Sequence, residues 1–367
     1  MITNIKIDSS NRKLLINSPK GVFIEQLKGN LDTATSQGAL VRVMEDKNRK
    51  KYVTKLALKQ SGYLHLLNQL TRLQQMNKSK ITIVPQIVDF FVEENYVYYT
   101  TPFVKGVSGY KNYLRNVKKN EEFIQNFRSL LENINNDLWS KGRSTLERKH
   151  FSKRHMYIIN RGLKSYKSFM KTFSSKDRFL LLNSFNLKNL LTTIKASTKR
   201  LDEIMSESRI PKFSHGDLHF DNIIVNKANV IKLIDINGSS ERKKSIIEFE
   251  LARLLMSFYR EVISGKHYKI VKTQNKKIKI VFTKKGEEIL RRRNLAYDEI
   301  FKNQILSGWF KDKEQSRKII KIMEALHFVS VFAVRPKEEI LATYLLGTQI
   351  LAQALKEIEL VHKKAWG

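Results

Sequence analysis

The side chains best suited to chemistry lie in one short stretch of the chain, residues 213–237. It contains the run His215-Gly216-Asp217, then Asn222, and it reaches Asp235 at the end of an apolar segment. An amide oxygen and one carboxylate can bind a hard divalent cation, while a second carboxylate can accept a proton. The residue types and their spacing therefore predict a site that combines a metal ion with a general base.

The pattern around these side chains is that of a polar loop followed by a β-hairpin. The loop, residues 215–222, precedes an apolar strand at Ile223–Val225. Residues Asn226–Asn229 predict a turn, and Val230–Ile234 predict a second strand that ends next to Asp235. A single Asp in a loop is more often a turn former or a helix cap. The prediction therefore depends on the joint pattern and not on any one carboxylate.

His215-Gly216-Asp217, Asn222 and Asp235 together resemble the catalytic loop and the metal-binding Asp of the aminoglycoside phosphotransferase and choline kinase superfamily, which shares the protein-kinase fold. The resemblance implies an ATP-dependent phosphotransferase with ATP and Mg²⁺ as cofactors. Asp217 matches the catalytic Asp that orients and deprotonates the acceptor hydroxyl, and Asn222 and Asp235 match the magnesium ligands. It also implies an α+β, two-lobed protein-kinase-like fold, with ATP and magnesium bound between a mainly β N-terminal lobe and a mainly helical C-terminal lobe.

Residues 1–101 are accordingly predicted to form the N-terminal nucleotide-binding lobe, and residues 102–367 the C-terminal catalytic and acceptor-binding lobe. Alternating apolar residues predict short edge strands within residues 5–17. Leucines at helical spacing predict a helix over Ser61–Met76. Further strands are predicted at Val22–Leu27, Ala39–Met44, Tyr52–Leu58, Ile81–Val84, Ile87–Val92 and Tyr96–Thr101.

Lys55 lies between apolar neighbours on one of these strands. An ammonium group that is unpaired away from water is costly, so the pattern predicts a counter-charge for it; the alternative is that Lys55 faces solvent. By resemblance Lys55 binds the α- and β-phosphates of ATP. Kinases pair this lysine with a Glu of the next helix, but no acidic residue lies between Asp46 and Asp89. Gln60 or Gln69 could serve as a neutral acceptor.

Two further segments are candidates for nucleotide binding. The run from Gly29 to Gly38 is rich in Thr and Ser and could arch over phosphates, although a plain hairpin loop explains it equally well. The strand that ends near residue 101 is followed by a connector containing Pro and Gly, which is typical of a hinge between lobes. By resemblance, backbone groups at Thr101, Phe103 and Val104 bind adenine.

The second lobe contains two basic segments. Residues 141–178 hold twelve Lys or Arg with interleaved aromatic residues, a pattern that fits either a phosphate-binding face or an ordinary helical core. Strands at Tyr268–Val271 and Ile278–Phe282 predict a basic hairpin, flanked by Lys284, Lys285 and Arg291–Arg293. Such a hairpin could hold a polyanion or an anionic membrane surface, or it could simply be solvated.

Helices are predicted from about residue 245 through Phe258, with Ser240 or Ser245 as the cap, and near Glu314–Val334 and Glu338–His362. In the first of these helices, Glu248 or Glu250 resembles the acidic residue that holds the catalytic loop in small-molecule kinases. We expect a structural role for it.

Composition limits the class of protein. The 367 residues contain no cysteine, which excludes disulfides and thiolate metal sites and fits a reducing cytoplasm. We expect a cytoplasmic protein, with a peripheral position at the inner face of the membrane as a further expectation. No apolar stretch has the length and hydrophobicity of a membrane span.

The charge balance predicts an anionic partner. There are 68 Lys and Arg against 35 Asp and Glu, a formal net charge of +33. Anionic acceptors are therefore favoured: a phosphorylated glycan, a lipid headgroup or RNA. One alternative is a small-molecule antibiotic kinase, although polycationic aminoglycosides would be repelled. The other is a pseudokinase that binds anions or nucleic acid without turnover, which the missing helix Glu favours.

Overall fold

The structure is a computed structural model of the full chain. It describes residues 4–8, 13–18, 21–26, 39–46, 48–57, 60–94, 96–144, 158–164, 166–167, 170–171, 187–196, 198–205, 208–237, 245–272, 278–330 and 337–357. The predicted Gly29–Gly38 loop and most of the basic segment 141–178 lie outside these residues.

The described residues form the following strands and α-helices. The strands are β1 (Asn4–Asp8), β2 (Lys13–Ser18), β3 (Gly21–Gln26), β4 (Ala39–Glu45), β5 (Lys51–Ala57), β6 (Asp89–Val92), β7 (Val97–Pro102), β8 (Val107–Ser108), β9 (Arg143–Ser144), β10 (Ile210–Pro211), β11 (Ile223–Val225), β12 (Ile231–Leu233), β13 (Tyr268–Lys272) and β14 (Ile278–Phe282). The helices are α1 (Gln60–Lys78), α2 (Asn120–Asp137), α3 (Leu187–Ala196), α4 (Thr198–Met205), α5 (Ile247–Ser264), α6 (Lys284–Lys302), α7 (Gln304–Ser307), α8 (Lys313–Ser330) and α9 (Lys337–Glu357).

The chain divides into two compact units. The first comprises Met1–Val107 and Asn222–Lys243, and the second comprises Ser108–Asp221 and Lys244–Gly367. The β11–β12 hairpin thus belongs to the first unit, although it follows more than a hundred residues of the second. The predicted lobe boundary between residues 101 and 102 stays a prediction.

The first unit is mainly β. Strands β1, β2 and β3 form an antiparallel sheet, and a second antiparallel sheet has the order β4-β5-β7-β6. Helix α1 packs against β5 and β7 with Leu66 and Leu70 buried. The register pairs Lys55 of β5 with Val41 on one side and Tyr99 on the other, so Lys55 lies in the middle of the sheet.

The second unit is mainly helical and is built around α5. Of the residues of α5, nearly all are buried, including Leu254 and Phe258, and the helix packs against α6 and α8. Helix α2 contributes Phe123 and Phe127, both fully buried. Because other helices pack around α5, its charged residues Glu248, Glu250 and Arg253 are buried together with its apolar side chains, and each of them needs a polar partner.

The predicted α+β class, with a mainly β first part and a mainly helical second part, is confirmed. None of the described helices combines the length and the hydrophobicity that a membrane-spanning segment requires.

Two local predictions are wrong. Ile81–Val84 is not a strand: its apolar side chains are buried, and an apolar run does not by itself distinguish a strand from other buried backbone. Ser245 does not cap α5, because the N-cap is Ile246 and the Ser245 hydroxyl donates to the Ile246 carbonyl. Ser240 lies outside the described residues.

Candidate active site

In the first unit, the ammonium group of Lys55 forms an ion pair and a hydrogen bond with the Asp235 carboxylate. The two residues are 180 positions apart in the chain. The Lys55 side chain is 12% exposed, so Lys55 does not face solvent, and the predicted counter-charge is Asp235. The missing acidic residue of α1 is therefore replaced by a residue that the sequence indicates as a metal ligand.

A tyrosine lies beside this ion pair. The ammonium nitrogen of Lys55 is 5.9 Å from the centre of the Tyr99 ring, and the Tyr99 hydroxyl donates to Gln69 Oε1 at 2.9 Å. Gln69 thus contacts Tyr99 instead of replacing the helix Glu. Burial alone would lower the pKa of Lys55, but its interactions with Tyr99 and Asp235 outweigh burial and raise that pKa above its usual value.

The backbone at Asp235 is left-handed, with φ of +58°. Residues other than glycine rarely adopt this conformation, and it is concentrated at functional sites, where the surroundings enforce it. Neighbouring hydrogen bonds do so here: the Ile234 N–H donates to the Asn222 carbonyl at 2.9 Å, and Arg72 donates to the Asn237 carbonyl. The backbone that carries Asp235 is consequently held in place, while the Asp235 side chain is 48% exposed.

The same hydrogen bond connects the two predicted magnesium ligands. Because Ile234 bonds to Asn222, the backbone beside Asp235 lies next to that of Asn222 within the first unit. An amide oxygen and a carboxylate are both hard oxygen donors, and Mg²⁺ is commonly bound by one or two protein groups together with phosphates and water. The donor chemistry fits the ion. Among the described residues no group of three His, Cys, Asp or Glu could hold a metal.

The hinge candidates lie at the end of strand β7: Thr101 is in the strand, and Phe103 and Val104 follow it. Thr101 is buried, and the Phe103 N–H donates to the Lys51 carbonyl at 2.9 Å, so this donor is already used within the unit. Val104 follows it, and Phe103 has a side chain that is 42% exposed. The predicted roles of Thr101, Phe103 and Val104 in adenine binding stay predictions.

In the second unit, Asp217 forms an ion pair with Arg253 of α5. The pair is well covered, with 8% of the Arg253 side chain and 18% of the Asp217 side chain exposed. A guanidinium beside a carboxylate stabilises its negative charge and fixes its direction. Asp217 is therefore a charged and oriented side chain.

Glu250 holds the loop that carries Asp217. Its carboxylate accepts hydrogen bonds from the backbone N–H of His215 at 2.8 Å and from that of Gly216 at 2.9 Å. The expected structural role of Glu250 is confirmed. Gly216 has φ of +79°, a conformation that favours glycine, which explains this residue in the motif.

His215 also stabilises the loop. It is fully buried, and its Nδ1 accepts a hydrogen bond from the Asp217 N–H at 3.2 Å. This contact braces the loop next to Asp217. His219 lies farther out, 3.9 Å from the Asp217 carboxylate and 3.8 Å from that of Asp221.

Phe220 anchors the end of the loop in the helical core. Its ring packs against Tyr110, Tyr113 and Phe258, and its N–H donates to the Ser257 hydroxyl at 3.2 Å. A large fully buried ring of this kind resists displacement, so the loop from His215 to Phe220 is positioned at both ends.

Glu248 lies two positions before Glu250 on α5 and is also buried, but it has different partners. Its Oε1 accepts from the hydroxyls of Ser316 at 2.8 Å and Ser208 at 3.3 Å, and its Oε2 has no partner among the described residues. Burial raises the pKa of Glu248 to about 7, against the opposing effect of its hydrogen bonds with the backbone and both serines.

Two residues of the site were missed in the sequence. Arg253 could have been suspected, because it is a charged residue on the buried stripe of an apolar helix, where an ionised group needs a partner. Tyr99 gave no such signal, since an aromatic residue in a buried strand is ordinary core material.

No protein-family model and no curated protein sequence matches the chain. Solved structures with similarity to it include an aminoglycoside-3'-phosphotransferase of type VIII, at 15% identity, covering 80% of this chain and 90% of that one with a TM-score of 0.43. They also include proteins assigned as fructosamine-3-kinases. The one from Haemophilus somnus 129PT is 10% identical over 97% of this chain and 92% of its own, with a TM-score of 0.43. The one from Thermobifida fusca YX-ER1 is 11% identical over 97% and 94%, with a TM-score of 0.46. The aminoglycoside phosphotransferases are a family that the His215–Asp235 motif resembles.

Proposed function

We propose that the protein is an ATP- and Mg²⁺-dependent phosphotransferase that acts on a hydroxyl group of an anionic acceptor. The observation that carries this proposal is the ion pair between Lys55, in the middle of the first unit's sheet, and Asp235, at the end of the β11–β12 hairpin. The fold brings together a strand lysine and a hairpin carboxylate that are 180 residues apart in the chain. A nucleoside triphosphate and its metal ion require one positive and one negative side chain of this kind.

The residues of the first unit would hold the phosphoryl donor. Asn222 and Asp235 supply the oxygen ligands for Mg²⁺, which when bound neutralises charge on the phosphate oxygens. Lys55 would bind the α- and β-phosphates, a role supported by an ammonium that is buried among polar partners and stays charged. Its partner Asp235 is half-exposed and can turn its oxygens to a ligand.

Asp217 would position the acceptor. In the transfer step the hydroxyl oxygen forms a bond to the γ-phosphorus, the bond from that phosphorus to the bridging oxygen of ADP breaks, and Asp217 takes the hydroxyl proton. Its ion pair with Arg253 fixes the direction of the Asp217 carboxylate. This suits a reaction in which positioning and charge stabilisation supply most of the catalysis.

The charge of the chain supports an anionic acceptor, such as a phosphorylated glycan, a lipid headgroup or RNA. A protein of net charge +33 attracts such acceptors over long distances and repels polycationic aminoglycosides. Phosphorylation of kanamycin-like amines in preference to polyanions would contradict this part of the proposal.

A specific observation favours the alternative of an anion-binding pseudokinase. Both carboxylates expected to work in transfer, Asp217 and Asp235, are already paired with a cation of their own unit. A protein that kept the Lys55–Asp235 pair on meeting ATP would bind anions without turnover.

One experiment separates the two. The melting temperature of the wild-type protein is measured with ATP, with Mg²⁺ and with both, beside the Asp235→Ala variant; phosphate transfer from labelled ATP is then followed in an extract separated into lipid, glycan, RNA and protein. We expect a magnesium-dependent shift that Asp235→Ala loses, and label in one acceptor fraction. The absence of any magnesium-dependent shift would refute the kinase proposal, and a shift without label in any fraction would favour the pseudokinase.

A further inference from the structure

The β13–β14 hairpin of the second unit has two faces of different character. Tyr268 pairs with Phe282, and Lys269 pairs with Val281, so alternate residues point to opposite sides. On the inner side, Tyr268, Ile280 and Phe282 pack against the core cluster of Met256, Ile263, Phe328, Ala342 and Leu346. The hairpin is therefore fixed to the helical core along one face only.

The outer face carries two valines and two lysines. Val281 is paired with Lys269, and Val271 is paired with Lys279. Val271 is 38% exposed and Val281 is 47% exposed, and both lysines are exposed. A solvated strand face normally carries polar residues. Exposed valines that are each paired with a lysine therefore indicate a partner that is both apolar and anionic.

The surrounding sequence is uniformly basic. Between Ser264 and Gly286 there are eight lysines and no acidic residue. Two of the three neighbouring arginines, in contrast, do not contribute to this surface. Arg292 is buried and pairs with Glu288, and Arg293 is buried and pairs with Glu324. The expectation that Arg291–Arg293 add charge to the hairpin is thus wrong for two of the three residues, and the basic residues of the two strands themselves are lysines.

The chemistry of the outer face favours lipid over nucleic acid. Single-stranded nucleic acid is usually held by aromatic rings on which bases stack, but the hairpin's rings, Tyr268 and Phe282, lie on the inner side against the core. Valines gain nothing from a phosphate backbone. They do gain from the boundary between headgroups and acyl chains, where lysines reach the anionic headgroups.

We propose that the outer face of the β13–β14 hairpin, formed by Lys269, Val271, Lys279 and Val281, docks the protein on an anionic lipid bilayer. The lysines supply attraction to the charged surface and the valines insert at its boundary. This surface lies wholly within the second unit and does not depend on phosphotransfer.

The first test is co-sedimentation of the full chain with vesicles of phosphatidylcholine, with and without phosphatidylglycerol. We expect binding only to the anionic vesicles, falling as salt is raised. Changing Lys269→Gln with Lys279→Gln should weaken binding about 25-fold, at about fivefold for each lysine. Changing Val271→Thr with Val281→Thr should weaken it roughly tenfold while keeping the β-branched side chains that suit a strand.

The matched control is Lys118→Gln with Lys119→Gln, which removes the same charge from two exposed lysines before α2. It should leave vesicle binding within about twofold of wild type, since charge loss elsewhere acts only through long-range attraction. An equal loss in the control and in the hairpin lysine variant would overturn the proposal, because binding would then follow net charge alone.

A second measurement does not depend on weakening the hairpin. Since the chain has no cysteine, Val281→Cys introduces a single site for an environment-sensitive fluorophore, and Lys118→Cys provides the control site. The label at position 281 should shift to the blue with anionic vesicles and not with neutral vesicles or single-stranded RNA. No shift at 281, a shift equal to that at 118, or a shift with RNA would each contradict lipid docking.

Discussion

In each of the two units, one candidate carboxylate forms an ion pair with a cationic side chain of the same unit. The two ion pairs differ in how much of their side chains is exposed to solvent. In the first unit, Lys55 is 12% exposed and Asp235 is 48% exposed. In the second unit, Arg253 is 8% exposed and Asp217 is 18% exposed. The first pair has an open side, while the second is enclosed by the helical core.

The difference teaches which pair can be exchanged for a ligand. A half-exposed carboxylate can leave its partner for a metal ion at little cost, because water compensates its charge and the phosphates of a bound nucleotide would become the counter-charge of the Lys55 ammonium. A covered guanidinium that lost its carboxylate would be left without a counter-charge, which costs several kcal/mol. We therefore expect Lys55 and Asp235 to separate around a nucleotide, and Arg253 and Asp217 to stay together during the reaction.

The largest expected effect tests the enclosed pair. Asp217→Asn removes the proton acceptor and should lower kcat by about 10² to 10⁴. It should leave the magnesium-dependent nucleotide shift unchanged, because Asp217 belongs to the second unit and Lys55 and Asp235 to the first. Transfer rates under saturating ATP, beside thermal shifts with ATP and Mg²⁺, check both parts. Loss of the nucleotide shift in Asp217→Asn would show that the two pairs are not independent.

Asp235→Asn tests the open pair. It keeps the side-chain size but removes a magnesium ligand and the counter-charge of Lys55, so magnesium-dependent ATP affinity should fall at least about 100-fold. Titration calorimetry with ATP in the presence and absence of Mg²⁺ measures this. The matched control is Asp221→Asn, an Asp that is 41% exposed and belongs to the second unit. A similar loss in the control would argue against a specific role of Asp235.

Glu248→Gln probes the buried helix that carries Arg253. Because the pKa of Glu248 is raised to about 7 in the folded protein, from 4.5 in the unfolded chain, folding favours the protonated form. The stabilisation is fully present below about pH 4.5 and is lost as pH rises through about 7. Gln mimics the protonated form at every pH. Between pH 4.5 and pH 8, the free energy of unfolding of the variant should therefore rise relative to that of wild type by on the order of 2 to 3 kcal/mol.

Urea unfolding of both proteins across this pH range measures the free energy of unfolding. Glu287→Gln, at an exposed position of α6, is the control and should follow wild type at every pH. A constant difference between Glu248→Gln and wild type across the range would contradict the predicted pKa.

The smallest expected effect comes from Arg253→Lys. Lys keeps the charge but loses the planar fork of the guanidinium, so the variant should be destabilised by about 1 to 2 kcal/mol. Transfer activity should fall more in kcat than in KM for ATP, because Asp217 would be less well oriented. Unfolding in urea and steady-state kinetics measure the two effects. An unchanged kcat would mean that Arg253 stabilises the fold without positioning Asp217.

Much of the local structure could be predicted from the sequence. Alternating β-branched residues around a polar turn predict the β11–β12 hairpin, and the observed strands differ by at most one residue at each end. The β13–β14 hairpin was predicted on the same signal. The strand prediction for Ile81–Val84 failed because three apolar residues around Thr82 carry no periodicity that separates a strand from other buried backbone. The segment does not form a strand; its Ile83 carbonyl accepts a hydrogen bond from the Leu233 N–H.

The sequence by itself determined the motif from His215 to Asp235, the two basic hairpin strands and the lack of an acidic partner for Lys55 in α1. These are matters of residue type and spacing, which follow from the local period of helices and strands. Only the tertiary structure decided that Lys55 pairs with Asp235 and that Asp217 pairs with Arg253. It also decided that the valines of β13 and β14 face outwards, while Tyr268 and Phe282 of the same strands face the core. Such choices depend on which distant segments pack together. Local patterns carry no record of that packing, because a charge or an apolar side chain can be satisfied by many partners.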